Sequence, residues 1–165
     1  MSRRLLLVAA CLVVGSAVLR ADPAKEVKII ASAQESSRAA NIGPVQLDEP
    51  GTAVIRSTEE LVALTSRTKS AKDPEVQKAM MDELAKILEV DAIDWSKQMV
   101  VAVRGEQGTK ADKVHFNSLT VEDKILTVSW KVKARPPHAG PGTPIALILI
   151  DRFDGEVKFV PSVQQ

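Results

Sequence analysis

The segment Ile125–Lys133 constrains the fold of this chain more than any other. From Leu126 onward apolar and polar side chains alternate along it without a break. Leu126, Val128, Trp130 and Val132 fall on one side, and Thr127, Ser129, Lys131 and Lys133 on the other. A period of two belongs to an extended strand with one face in a core and the other in water. The flanking segments agree. Met99–Val103 is a continuous apolar run, which suits a central strand. In Val114-His115-Phe116, Val114 and Phe116 share one face and His115 takes the solvent side. Pro144–Ile150 is a second continuous apolar run. Asp154-Gly155 then reads as a hairpin turn, with Val157–Val160 returning.

Helical patterning precedes this strand-rich region. Thr52–Arg56 is β-rich, and Ser57-Thr58-Glu59-Glu60 fits a capping box in which Ser57 and Glu60 satisfy each other's free backbone N–H groups. A short helix over about Thr58–Thr65 should follow. Asp73-Pro74-Glu75 opens a second: an N-cap, a proline at the first helical position and an acid at the positive dipole end. Val76, Met80, Leu84, Ile87 and Leu88 form its apolar stripe. Consecutive strands with short connections and an amphipathic helix predict an α+β class: an antiparallel β-sheet of about five strands packed against one or two helices.

The first 21 residues have the order of a secretory signal peptide. Arg3 and Arg4 lead, the apolar run Leu5–Val14 follows, and Gly15, Ser16 and Ala17 supply small residues. Cleavage after Ala17 or after Ala21 is expected. The run is shorter than the roughly 20 residues a bilayer span requires. Val8-Ala9-Ala10-Cys11 resembles a lipoprotein box, but only Leu5–Val8 leads into it, against the roughly 7–15 apolar residues of an export helix. Without lipidation at Cys11, no membrane attachment is expected after cleavage. Residues 22–50 read as an extension or linker with turn signals at Gly43-Pro44 and Glu49-Pro50-Gly51, and a short strand at Val27–Ile30 that joins the main sheet. Residues 51–165 form the compact domain.

Loss of the signal removes the chain's one cysteine, so an exported protein would rely on its hydrophobic core instead of disulfides. It also removes Arg3, Arg4 and Arg20 and no acid, leaving 19 basic against 21 acidic side chains. That balance gives no electrostatic case for nucleic acid or anionic lipid. Aromatic residues are Trp95, Trp130, Phe116, Phe153 and Phe159, too few for base-stacking or sugar platforms.

Motifs that carry chemistry do not assemble. Arg104–Lys110 hints at a phosphate loop but lacks the Walker spacing, and a strand follows it rather than a helix. The histidines are His115 and His138, with no metal-ligand spacing around either. Asp151 and Asp154-Gly155-Glu156 miss the calcium-loop pattern. Ser57 and Ser129 are outside any nucleophile elbow. No catalytic residue, metal or cofactor is expected. The strongest candidate surface is the connection Ala134–Pro144, containing Arg135, Pro136, Pro137, His138, Gly140, Pro141 and Gly142. Its prolines reduce the conformational entropy lost on binding. Gln107, Gly108 and Lys110 of the Arg104–Lys113 connection complete the patch if strand order brings both connections to one end.

From about Gly51 onward the chain resembles the PrcB-like (protease complex subunit PrcB) family of exported bacterial domains. The resemblance rests on Ile93–Val103, similar to that family's D-F/W-x-x-x-M-V-V-x-V strand. It also rests on Lys124–Val132 with the proline-rich connection and Pro144–Leu149, and on Gly155–Phe159. Gly108–Lys113 lacks the paired glycines and aromatic residue common in the family's first loop. The resemblance implies an exported, non-enzymatic accessory module whose protein partner is an envelope or secreted protease. The competing expectation is a periplasmic hydrolase or metal-dependent enzyme built on His115 or His138 with nearby acids.

Overall fold

The computed structural model describes residues 24–37, 41–48, 51–65, 73–105, 111–134 and 143–162. The class is α+β, as the patterning predicts. The described strands form two four-stranded sheets and one small hairpin. In chain order they are β1 (Lys25–Glu26), β2 (Ile29–Ser37), β3 (Asn41–Ile42), β4 (Val45–Gln46), β5 (Gly51–Ile55), β6 (Gln98–Arg104), β7 (Ala111–Glu122), β8 (Ile125–Ala134), β9 (Thr143–Asp151) and β10 (Glu156–Pro161). Helices α1 (Thr58–Ala63) and α2 (Pro74–Ile87) lie between β5 and β6 in sequence.

The central sheet has the order β2-β9-β6-β5, antiparallel throughout. Both of its faces are covered. Val100, Ala102, Ile145, Leu147 and Leu149 belong to a core shared with Leu61, Met80, Leu84 and Leu88 of the helical segment. Val101, Ile148 and Ile150 point the other way, into a core shared with Leu119, Leu126 and Val128 of the second sheet. The result is three layers: helices, central sheet, outer sheet. This is why β6 and β9 read as continuous apolar runs, whereas β8, wet on its outer face, alternates.

The outer sheet has the order β1-β7-β8-β10. Its inner positions on β8 are those expected: Leu126 and Val128 are fully buried, and Trp130 and Val132 are half-buried. β7 and β8 are joined by the two-residue turn Asp123-Lys124, and Glu122 pairs directly with Ile125. Both turn residues have positive φ, 48° and 61°, which matches a tight hairpin turn to the right-handed twist of its strands.

The expected hairpin at Asp154-Gly155 does not form. Residues 152–155 instead carry the chain from the central sheet to the outer one, where β10 pairs parallel to β8. β9 has no free edge for a returning strand, because β2 and β6 occupy both sides of it. Val157 and Phe159 find their apolar environment between the sheets, together with Phe153. Gly155 is needed where the connection enters the outer sheet beside the β7–β8 turn. A Cβ there would lie 2.4 Å from the Lys124 carbonyl oxygen and 2.6 Å from the Phe153 ring.

The expected strand Val27–Ile30 is a corner. β1 pairs with β7, the Val27 N–H donates to the Leu119 carbonyl at 2.8 Å, and the chain then crosses to pair with β9 as β2. The segment before Gly51 therefore contributes strands to both sheets. Capping also departs in detail. Ser57 Oγ accepts from the Glu60 N–H as predicted, but the Glu60 carboxylate accepts from Arg56 N–H, one residue earlier than a standard capping box. Helix α1 ends at Ala63, and the Leu64 and Thr65 N–H groups turn back onto Leu61 and Val62 carbonyls. Helix α2 opens as expected, with Asp73 Oδ1 accepting from Glu75 N–H at 2.9 Å and Pro74 at the first helical position.

Candidate functional site

The candidate residues Gln107, Gly108 and Lys110 lie in 106–110, and Arg135, Pro136, Pro137, His138, Gly140, Pro141 and Gly142 lie in 135–142. Both segments are outside the described residues, as is the expected signal segment 1–21. Their anchoring points are described, and they converge. Arg104 of β6 pairs with Ile145 of β9, and the Gly105 N–H donates to the Pro144 carbonyl at 2.8 Å. On the outer sheet Ala111 pairs with Ala134. Gly105 closes the gap between the sheets: a Cβ there would lie 2.8 Å from Pro144 Cγ and 3.1 Å from Val132 Cγ2. Both connections therefore leave from one end of the two packed sheets, the condition the sequence left open. β2 reaches the same end, where Ser37 pairs with Thr143. Each connection is also shorter than predicted. Ala111–Lys113 belongs to β7, Ala134 to β8, and Thr143 and Pro144 to β9.

The converging end carries a feature that the sequence did not signal. Thr143 Oγ1, Trp130 Nε1 and His115 Nε2 are each hidden from solvent with no hydrogen-bond partner among the described residues. Thr143 starts β9, and Trp130 pairs with Phe116 two residues in from Val132. The nearby core is built from small residues, Val103, Val114 and Ala146, with Phe116, Trp130 and Phe159 half-buried against it. Unpaired buried polar atoms are uncommon in native proteins because each costs roughly 1–3 kcal/mol. Arg104 braces this end from the side by donating Nη1 to the Leu47 carbonyl. Beside it, Gln46–Asp48, Gly51-Thr52 and Ala63–Thr65 border an open groove of about 320 Å³.

The opposite end is a different kind of structure, closed by backbone contacts. Arg152 donates through Nη1 to the carbonyls of Trp95 and Arg56, and through Nε to Asp154 Oδ1 at 2.7 Å. Arg56 donates to the Phe153 and Gly155 carbonyls at 3.1 and 3.3 Å. Asp94 builds the turn into β6. Its Oδ1 accepts from Ser96 Oγ and N–H, and Lys97 Nζ lies 3.2 Å from Oδ2. These bonds, led by the Ser96 hydroxyl, hold the Asp94 carboxyl below its ordinary pKa. Trp95 Nε1 donates to Thr58 Oγ1 at 3.2 Å, tying the turn to α1. Within Ile93–Val103, Asp94–Lys97 is therefore a local turn and Gln98–Val103 belongs to β6.

His115 lies on the outer face of the outer sheet, as the alternation predicts, directly opposite Lys131. It is half-buried rather than freely solvated. His138 is outside the described residues. Among the described residues, no group of three or more His, Cys, Asp or Glu side chains converges to hold a metal ion. No described helix is long and apolar enough to cross a membrane. In comparisons with known proteins, no protein family, curated protein or solved structure matches the chain.

Proposed function

We propose that this chain is an exported, non-catalytic accessory domain that binds another protein through the end where the 106–110 and 135–142 connections emerge. One observation carries the reading: the stems of both connections meet at the Gly105–Pro144 hydrogen bond and the Ala111–Ala134 pair. The connection bearing Arg135, Pro136, Pro137, His138, Gly140, Pro141 and Gly142 and the one bearing Gln107, Gly108 and Lys110 are thus anchored on one rim. A rim on a doubly packed sheet is a rigid platform, so little order is lost when a partner docks. Thr143, whose buried hydroxyl has no partner among the described residues, starts β9 at this rim. The resemblance to the PrcB-like family supplies the partner class, an envelope or secreted protease.

The test replaces 135–142 with a Gly/Ser linker of equal length, leaving Thr143 and Pro144 in β9. Purified parent and variant are compared by circular dichroism and used to capture proteins from envelope extract. The parent is expected to retain a protease that the equally folded variant loses. The same captured proteins on both would reject the reading. Mass spectrometry of the exported chain should find its first residue at Val18 or Asp22.

A further inference from the structure

Strands β2 and β5 end the central sheet, and β1 and β10 end the outer one. An end strand presents unpaired backbone N–H and C=O groups to any other chain, and proteins blunt such edges with short strands, charges or proline. β1 has two residues and β5 has five. β10 carries Glu156, Lys158 and Pro161. β2 runs for nine residues, Ile29–Ser37, without proline or lysine. Glu35 is its one charge, and its register with β9 is broken only at Ile30. β9 pairs with one side of β2, and no described strand pairs with the other.

The free side of β2 is open to solvent. No residue from Ile29 to Glu35 is buried. Ile29 is 37 % and Ile30 42 % exposed, two of the three large apolar side chains exposed among the described residues. Ala31 and Ala33 are half-buried against the helix-side core. Ser32 and Gln34 alternate with them, take the other face and are exposed. From Ala31 to Ala33 every side chain is small, so a second strand can approach closely.

We infer that β2 is a dimerisation edge: the β2 strands of two copies of this chain pair antiparallel about a two-fold axis at Ser32. The strand is complementary to itself in this register. Ser32 is the midpoint of the exposed stretch 29–35, so the whole stretch is paired. Residues directly opposite each other share a face, so Ser32 meets Ser32 and Ala31 meets Ala33. Glu35 of one copy then lies beside residues 28–29 of the other, which brings its carboxylate to the exposed Lys28 ammonium at each end of the pairing. The two Glu35 side chains stay far apart. An edge pairs once, so the assembly closes at two subunits and joins the two central sheets into one continuous sheet. Antiparallel pairing sends the 106–110 and 135–142 connections of the two copies to opposite ends. The edge uses neither connection, so it stands or falls separately from the rim proposed above.

The test uses the chain from Asp22 onward, which holds every described element and lacks Cys11. Sedimentation equilibrium from about 1 to about 500 μM should show a reversible monomer–dimer equilibrium and no larger species. Ser32→Cys supplies a sole thiol on the axis, where opposite Cα atoms stand about 4.5–5.5 Å apart and a disulfide can close. Oxidised glutathione should link this variant into covalent dimers much faster than Lys78→Cys, a control on the exposed side of α2. Ser32→Lys sets two ammonium groups across the axis and should weaken dimerisation by at least about tenfold. Gln34→Lys serves if that variant does not fold, and it should weaken dimerisation about threefold or more. Glu35→Lys should weaken it as well, and adding Lys28→Glu should restore it. A monomer over the whole concentration range would overturn the inference. So would unchanged association in a folded lysine variant, equal linking rates for the two cysteine variants, or no rescue by the charge exchange. Species that keep growing with concentration would mean that β2 meets β5 of the next copy, and would overturn it equally.

Discussion

Val100→Thr and Val101→Thr together test the three-layer arrangement on which both surfaces depend. The two valines are consecutive, fully buried and directed into different cores, Val100 towards the helices and Val101 towards the outer sheet. Threonine has nearly the shape of valine and a similar preference for strands, so no cavity forms. The cost comes from burying a hydroxyl without a partner, about 1–3 kcal/mol per site. If the central sheet had one wet face, one of the two substitutions would instead fall within roughly 0.5 kcal/mol of the parent, as surface changes do. The sites are adjacent in one strand, too close for their losses to be added, so each single variant is read directly against the parent. Single-domain stabilities of about 5–15 kcal/mol leave that loss measurable. Urea unfolding followed by tryptophan fluorescence gives all the values. A near-neutral result at either position would refute the layered packing, and with it the account of why β6 and β9 carry no polar face.

Three smaller outcomes follow from local geometry. Lys124→Gly should stabilise the chain by roughly 0.5–1 kcal/mol, because Lys124 has φ 61° and only glycine adopts that conformation without steric cost; a lower urea midpoint would contradict it. Gly155→Ala should destabilise by about 1–3 kcal/mol, since its Cβ meets the Lys124 carbonyl and the Phe153 ring at well under contact distance; an unchanged midpoint would show that the Phe153 connection yields there. Asp94→Asn should flatten the acid limb of stability. The carboxyl's folded-state pKa lies below its ordinary 3.8, so its contribution is present above that value and disappears as pH falls through the lowered one. Urea midpoints between pH 6 and pH 2 should therefore fall less steeply in the variant, and identical slopes would remove Asp94 from the acid response.

The sequence by itself determined the local elements. Period-two alternation located β8 and its buried face, continuous apolar runs located β6 and β9, and Asp73-Pro74 fixed the start of α2. Each signal is carried by neighbours in the chain, whose spacing decides how side chains are distributed around one element. The candidate rim was legible as two connections rich in turn residues, but their convergence was not. Only the tertiary structure decided which strands lie together. Asp154-Gly155 has the chemistry of a hairpin turn, yet β10 leaves for the outer sheet because β2 and β6 have already taken both edges of β9. Edge occupancy depends on residues more than a hundred positions away, so no local pattern encodes it. The same holds for Gly105, whose close contacts with Pro144 and Val132 exist only once two sheets meet. It holds as well for the open edge of β2, which is left over only because β9 takes the other side of that strand.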